Sequence, residues 1–361
     1  MSGQLRGGVD LGGTKIQTAV VDGAGAVLGQ ARQPTPTEGG PQDVADAIAN
    51  AMRAAARDAG VATGSLSGIG VGSPGDVVEG EGIVSQARNL PGWEGSFPLG
   101  SSLSGALGAP VRVGNDVQVA TNAEVALGAG RPYSSLLGVF WGTGVGGGVI
   151  LEGKPWLGRG AAGEIGHMVV RRGGARCTCG RRGCMEAYAG RVAMGIKARK
   201  EQAKGRKTKL FKIMKKHGKD RLTSGIWARA LKQDDKLATE LIERALKALG
   251  AGVASAVNLL DVEAVIIGGG LGVRFGDEMA NRIEKQMLPH LYNDKHPPAV
   301  HVAALGDLGG AIGASLLLSD AGSAGGSSAE ARTAVAGSGD AGPPQHQASR
   351  TSVAGTTPWS D

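Results

Sequence analysis

The chain has 361 residues, of which 64 are glycine and only 3% aromatic, and its formal net charge is +7. This length predicts two domains with ample core. No uninterrupted apolar run reaches the roughly 18 residues of a membrane span, and no apolar signal peptide precedes the first motif, so we expect a cytoplasmic protein with reduced cysteines and no membrane partner.

The first part of the chain alternates strands and helices. Residues 5–21 are predicted to form a β-hairpin with Gly12 and Gly13 at its bend. Further along the chain we predict a strand over 27–33, a helix over 43–60, a buried strand over 67–72, a strand ending at residues 115–116 and a helix over 117–128.

The second part repeats this pattern. Residues 135–151 again read as strand, glycine bend and strand, and they are followed by a long helix over 237–260 and by strands over 264–270 and 300–304. The repetition predicts an α/β fold of two related lobes with a cleft between them. We place the lobes at residues 1–118, completed by a C-terminal helix at about 309–318, and at residues 119–308.

Two segments have a biased composition. Lys and Arg crowd between Arg171 and Lys236, where apolar residues recur at helical spacing, and we place a basic insert at about residues 197–236. The basic stretch reads as solvated helices near an active-site mouth, or as a surface that attracts a polyanion such as ATP, polyphosphate or nucleic acid. We favour the first reading. The tail over 319–361 is rich in Gly, Ser and Ala, and it is predicted to be disordered because it has little apolar surface to bury.

All three cysteines lie within eight positions, in the run C-T-C-G-R-R-G-C, which begins ten residues after His167. Three thiolates and one imidazole can hold Zn²⁺ in tetrahedral geometry. A disulfide plus a free thiol is disfavoured by the odd cysteine count and by the short C-x-C pair. The sequence therefore predicts a structural zinc site formed by His167, Cys177, Cys179 and Cys184.

Two glycine-rich bends are candidate phosphate-binding turns, D-L-G-G-T-K at 10–15 and G-T-G-V-G-G-G at 142–148. Glycine permits close approach of the backbone, successive N–H groups can bind an anion, and Thr14, Lys15 and Thr143 add donors. Neither run is a Walker loop. The second matches G-x-G-x-x-G literally, but strands are predicted on both sides of it, so we reject a Rossmann NAD site.

Asp116 follows an apolar strand that ends in Asn115. A carboxylate there can accept the proton of a substrate hydroxyl as the hydroxyl attacks a phosphorus atom. An aspartate in front of a helix serves equally well as its N-cap. Position alone leaves both roles open.

Taken together, these motifs resemble the ROK family of bacterial sugar kinases and repressors. The resemblance covers roughly residues 7–318 and adds S-P-G-D, N-L-P-G-W, G-N-D, G-E-I-G-H-M, C-M-E, I-I-G-G-G and G-D-L-G-G-A-I-G-A, in the family's order. It implies an actin-like ATPase (ribonuclease H-like) fold, in which sugar and ATP meet in the cleft between two lobes, and a homodimer.

The resemblance also implies roles for individual residues, with Asp116 as catalytic base. The implied sugar ligands are Asn89, Asn115, Asp116, Glu164, His167 and Glu186. The implied MgATP ligands are Asp10, which engages Mg²⁺ through water, and Gly12, Gly13, Thr14, Lys15, Gly142, Thr143, Gly144, Gly269 and Gly270. His167 would serve two sites, with one ring nitrogen on zinc and the other toward a sugar hydroxyl.

The implied reaction is phosphoryl transfer from MgATP to the 6-hydroxyl of a hexose, with glucose as our first choice. The run N-D-V-Q-V-A-T-N replaces the family's common N-D-A-N-x-A-A, and E-A-Y-A-G-R replaces E-A-x-A-S-G, which leaves another hexose, an N-acetylhexosamine or a polyphosphate donor open. A repressor would carry a helix-turn-helix ahead of Asp10, which lies too near the start for one. Nucleic acid is therefore not an expected partner.

Overall fold

A computed structural model describes residues 4–78, 80–87 and 89–318. The predicted tail over 319–361 lies outside the described residues. The strands are β1 (Arg6–Leu11), β2 (Lys15–Val21), β3 (Val27–Pro34), β4 (Ile69–Ser73), β5 (Asp76–Val78), β6 (Ile83–Ser85), β7 (Ser96–Phe97), β8 (Val111–Asn115), β9 (Leu136–Trp141), β10 (Val145–Leu151), β11 (Lys154–Pro155), β12 (Ala264–Gly268) and β13 (Ala299–Val302).

The α-helices are connected by short turns, several of them 3₁₀-helical. They are α1 (Pro41–Asp58), α2 (Leu99–Leu107), α3 (Asp116–Leu127), α4 (Glu186–Ala189), α5 (Arg191–Ala203), α6 (Leu210–Lys216), α7 (Ser224–Leu231), α8 (Lys236–Leu260), α9 (Gly269–Met287) and α10 (Gly309–Leu316). Among the described residues, no helix combines the length and apolarity that crossing a membrane would require.

Two five-stranded sheets share one topology. Their strand orders are β3-β2-β1-β4-β8 and β11-β10-β9-β12-β13. In each sheet the first three strands of the order pair antiparallel, and the last two are added in parallel. The predicted repetition of hairpin and parallel strands is thus confirmed, and the carboxyl ends of the parallel strands carry the polar turns of both repeats.

Helix α10 packs directly against the first sheet. A Cβ atom at Gly8 would lie 1.8 Å from the Ala311 carbonyl oxygen, and one at Gly70 would lie 1.7 Å from the Ala314 carbonyl oxygen. Only glycine therefore permits this close approach of helix to sheet. The other face of the same sheet packs against α1 and α2 through a fully buried set of aliphatic side chains.

The basic insert is folded around an apolar core. Its regularly spaced apolar residues are all buried and join the core of the second sheet through α8; they are Leu210, Phe211, Ile213, Met214, Leu222, Ile226 and Trp227. This confirms the predicted helices, which the structure resolves as α5, α6 and α7. Their lysines and arginines lie mostly on the exposed side.

The remaining elements show where periodicity is informative. The structure confirms most of the predicted elements, with small shifts at their ends. They are the strands over 27–33, 67–72, 264–270 and 300–304 and the helices over 43–60, 117–128 and 237–260. Several elements escaped the sequence reading: the small sheet β5-β6-β7, strand β11 and helices α2, α4 and α9. The strands of the small sheet have only two or three residues, and α9 begins with two glycines, which disfavour a helix by propensity.

Candidate active site and metal centre

A cleft of about 2560 Å³ runs between the ends of the two sheets. It brings together nearly all the residues that the sequence analysis selected, from Asp10 in β1 to Gly270 in α9. Cys184 does not line the cleft, because its side chain is fully buried. Apart from Cys184, the candidate sugar, nucleotide and zinc ligands thus all line the same cleft.

Asn115 takes the capping role that position alone left open for Asp116. Asn115 is the N-cap of α3, and its Oδ1 accepts hydrogen bonds of 3.1 Å from the backbone N–H groups of Val117 and Gln118. Asp116 accepts one bond of 2.9 Å from the Val117 N–H. With the helix already capped, the Asp116 carboxylate is free to face the cleft.

The pKa of Asp116 is raised from 3.8 to about 7. Burial is the largest cause, and the negative charges of Asp10 and Glu164 add to it, while the Val117 N–H opposes it. Burial also raises the pKa of Asp10, with Lys15 opposing and Asp307 adding to the shift. Carboxylates crowded at the base of a cleft in this way favour a proton or a cation between them.

The first glycine bend is held against its surroundings by close packing. The Gly12 N–H donates to the Lys15 carbonyl at 3.0 Å, which closes the hairpin. A Cβ at Gly13 would lie 2.9 Å from the Asn89 carbonyl oxygen and 3.0 Å from its side-chain nitrogen. Lys15 pairs with Asp307 at 3.2 Å, so its ammonium is held at the rim of the cleft.

The second glycine bend is tied to Glu186, the first residue of α4. One Glu186 oxygen accepts the Val145 N–H at 3.0 Å, and a Cβ at Gly144 would lie 2.1 Å from the same oxygen. The other oxygen accepts from the Thr178 hydroxyl at 3.1 Å. Glu186 therefore connects the bend to the cysteine loop.

Glycine also begins helix α9 beside this bend. Gly269 has a φ of +78°, and a Cβ there would lie 2.7 Å from the Trp141 carbonyl oxygen. A Cβ at Gly142 would lie 3.6 Å from the Gly270 nitrogen. The amino end of α9 thus adjoins the bend, a position suited to an anion.

His167 and the three cysteines converge on one point. Their ligand atoms all lie within 4.8 Å of one another. The His167 Nδ1–Cys177 Sγ distance is 3.8 Å and the Cys179 Sγ–Cys184 Sγ distance is 3.7 Å. Ligands about 2.3 Å from a tetrahedral Zn²⁺ are separated by about 3.8 Å, so these residues fit the metal.

The loop that carries the cysteines turns at glycines. Gly180 and Gly183 have φ values of +87° and +84°, as the predicted tight turns require. Burial raises the pKa of Cys177 and of Cys184. A divalent cation would supply the charge that stabilises neighbouring thiolates here. The other ring nitrogen of His167 lies 3.8 Å from a Glu164 oxygen at the cleft surface.

Comparison with known proteins identifies the family. The ROK family profile matches residues 6–321. The chain is 32% identical over 324 residues to a glucokinase of Halalkalibacterium halodurans, covering 88% of this chain and 96% of the relative. It is 32% identical over 316 residues to an N-acetylmannosamine kinase of Haemophilus influenzae, covering 86% and 94%. The chain belongs to the ROK family.

The fold of this ROK protein matches that of solved members. A ROK family glucokinase from Streptomyces griseus, solved in complex with glucose and AMPPNP, superposes with a TM-score of 0.75 at 32% identity, covering 87% of this chain and 98% of that one. The predicted actin-like ATPase fold, with a cleft between two sheets, is thereby confirmed. The residue boundaries drawn for the lobes stay a prediction.

Two charged residues of the ROK chain were missed by the sequence reading although they line the cleft. Asp307 precedes α10 in the run G-D-L-G-G and contributes to the raised pKa of Asp10. Arg191 begins α5 and contacts the second glycine bend. An acid in a glycine-rich turn was a usable signal for Asp307, whereas Arg191 was one of many arginines in a basic segment.

Proposed function

We propose that this ROK sugar kinase is an ATP-dependent glucokinase, which transfers the γ-phosphoryl group of ATP to the 6-hydroxyl of glucose. The observation that carries the proposal is Asp116, a carboxylate at the floor of the cleft whose helix is capped by its neighbour and whose pKa lies at about 7. A general base works best when its pKa is near the operating pH.

In the proposed reaction Asp116 accepts the proton of the sugar hydroxyl. A loose transition state demands little of the nucleophile until late, so orientation and charge stabilisation supply most of the rate. The glycine bends at residues 12–14 and 142–144 would donate backbone N–H groups to the phosphates. When bound with ATP, Mg²⁺ would neutralise phosphate charge, and Asp10 is the carboxylate placed to hold it through water.

The sugar would lie between Asn89, Asn115, Glu164, His167 and Glu186. Asn115 caps α3 with its oxygen, and its side-chain nitrogen has no partner among the described residues, so the nitrogen is available to a sugar oxygen. Glu186 and His167 both reach the cysteine loop. Zinc held by His167, Cys177, Cys179 and Cys184 would therefore fix the position of two sugar ligands, a structural role since four protein ligands leave it no open position.

The lining of the cleft supports a nucleotide as the donor. Val192 and Ile196 on α5 and Val273 on α9 line it and stay 46%, 47% and 36% exposed. Apolar side chains that face a cleft suit a purine base. Polyphosphate offers no such group, although the lysines and arginines of the basic insert suit any polyanion.

A substrate panel tests the proposal. Steady-state kinetics with glucose, N-acetylmannosamine, N-acetylglucosamine and 2-deoxyglucose should show the highest kcat/KM for glucose, with a loss of about ten- to a hundredfold for the 2-deoxy sugar because a hydrogen-bonding group goes unpaired. ATP should exceed polyphosphate as donor. Preference for an acetylated sugar would overturn the choice of glucose.

A matched pair of variants tests the base. Asp116→Asn should lower kcat by about a hundredfold or more with little change in glucose affinity. The control is Asp46→Asn, the same change at an exposed position of α1 whose carboxylate contacts Gln42. Near-normal turnover of Asp116→Asn would exclude the proposed base.

The homodimer and the cytoplasmic location stay predictions from the sequence.

A further inference from the structure

Arg191 stands at the first position of α5 and lies against the second glycine bend. One of its guanidinium nitrogens donates to the Thr143 hydroxyl at 2.8 Å. The side chain is partly buried in the wall of the cleft. Thr143 is the hydroxyl residue of the bend, so the guanidinium is placed where the bend opens to the cleft.

The guanidinium lacks a compensating charge from the protein. Within the described ranges, it forms no ion pair with a carboxylate, and its remaining N–H groups have no protein acceptor. Burial lowers the pKa of Arg191, and the positive charge of Arg221 lowers it further. Arg221 itself has a neighbouring carboxylate, Asp220, at 3.9 Å. A partly buried cation in this setting is stabilised by an anion from outside the protein.

The bend does not need the side chain of Arg191 to keep its shape. The backbone N–H of Arg191 already donates to the Gly142 carbonyl at 3.1 Å, and the N–H of Val192 donates to the Thr143 carbonyl at 3.1 Å. Glu186 holds the next residue of the bend through the Val145 N–H. These backbone bonds fix the backbone of Arg191 relative to the bend, so the guanidinium N–H groups that Thr143 does not accept are available to a ligand.

We propose that Arg191 and Thr143 form a clamp for the phosphate chain of the nucleotide donor, an element that adds to the glycine amides of the bend. A guanidinium presents several N–H groups in one plane and binds phosphate oxygens in pairs. The identity of the anion rests on the proposed function, which places a nucleoside triphosphate in this cleft. Arg191 would thus set affinity for the phosphates and leave the base and the sugar unaffected.

Equilibrium binding separates the parts of the donor. The magnesium complexes of AMPPNP and ADP, and adenosine alone, are titrated into the full chain and into Arg191→Gln. We expect AMPPNP and ADP to bind about 10- to 100-fold more weakly to the variant, as for loss of charge-assisted hydrogen bonds, with adenosine changed by about twofold or less. Arg191→Lys keeps the positive charge but loses the planar set of N–H donors. Its affinity for AMPPNP and ADP should lie between that of the unchanged protein and that of Arg191→Gln.

Lys247→Gln is the matched control, since it removes one positive charge from an exposed position of α8 that does not line the cleft. It should leave all three affinities near those of the unchanged protein. An equal loss in Lys247→Gln would mean that only the overall charge matters. An equal loss of adenosine and AMPPNP in Arg191→Gln would mean that Arg191 supports the pocket by packing. Either result, or unchanged AMPPNP binding, overturns the clamp.

The clamp and the proposed function fail in different ways. A protein that binds AMPPNP in an Arg191-dependent manner but phosphorylates no hexose retains the clamp and loses the kinase proposal. A protein that phosphorylates glucose while Arg191→Gln binds nucleotides normally loses the clamp alone. Thermal unfolding and zinc content are measured for each variant, and if Arg191→Gln does not fold, the comparison is read from Arg191→Lys.

Discussion

Replacing Asp116, the proposed catalytic base, by asparagine tests whether its buried carboxylate lowers the free energy of unfolding. A group whose pKa is higher in the folded protein than in the unfolded chain binds its proton more tightly when folded. Its contribution to stability is therefore complete below the unfolded pKa and is lost as the pH rises through the folded pKa. Asparagine has a similar shape and can accept the hydrogen bond from the Val117 N–H, but it does not ionise.

The magnitude follows from the two pKa values. One unit corresponds to about 1.4 kcal/mol, so a rise from 3.8 to about 7 destabilises the fully ionised fold by at most about 4 kcal/mol. This loss of folding free energy develops as the pH rises from about 4 to about 7. The difference in free energy of unfolding between Asp116→Asn and the unchanged protein should thus grow across this window and level off above it.

Urea unfolding at a series of pH values from 4 to 8 measures this difference. Groups far from Asp116 contribute equally to the pH dependence of both proteins, so their effect on stability cancels in the difference. Asp46→Asn on the exposed face of α1 supplies the baseline for an amide replacement without burial. At pH 8 we expect the Asp116 variant to be nearly inactive and more stable than the unchanged protein.

Two outcomes would refute this reasoning. Parallel stability profiles, with no growth of the difference between pH 4 and 8, would show that the Asp116 carboxylate ionises without penalty. A variant that is less stable than the unchanged protein at pH 8 would show that the negative charge of Asp116 at the amino end of α3 stabilises the fold more than its burial destabilises it.

Further predictions concern the metal and the second glycine bend. Metal analysis should find about one zinc per chain, and Cys179→Ser should lose it together with thermal stability; full activity of a zinc-free protein would contradict this. Gly144→Ala places a Cβ 2.1 Å from the Glu186 carboxylate, so it should raise KM for glucose by about tenfold or more as Glu186 shifts. Gly23→Ala, where nothing lies within 4 Å of the new methyl group, is its control and should behave as the unchanged protein.

The sequence predicted those parts of the molecule in which chemistry and spacing coincide. The cluster of His167 and three cysteines is nearly local, so ligand chemistry alone located it. The hairpin at Gly12 and Gly13 and its counterpart near Gly142 were readable because glycine bends separate apolar strands. Asp116 was found with an ambiguous role, and the structure shows Asn115 as the cap, a distinction that depends on backbone geometry.

Other features depend on contacts between distant segments and leave no local signal. The small sheet β5-β6-β7 has strands too short for an alternating pattern. The approach of Ala311 to Gly8 joins opposite ends of the described part of the chain. Arg191 becomes distinctive only once its hydrogen bond to Thr143 and its lack of a carboxylate partner in the described part of the chain are known.

The packing of α10 on β1 and β4 has a consequence for the order in which the protein is built. Chains emerge from the ribosome amino end first, and segments begin to fold as they appear. The strands containing Gly8 and Gly70 are synthesised long before α10, the helix that packs on them, which begins at Gly309. A nascent chain must therefore leave the part of the sheet that contacts α10 uncovered until nearly all of the described chain has been synthesised. Ribosomes that stall before codon 309 would release products with an exposed sheet face, a feature that marks them for chaperones and proteases.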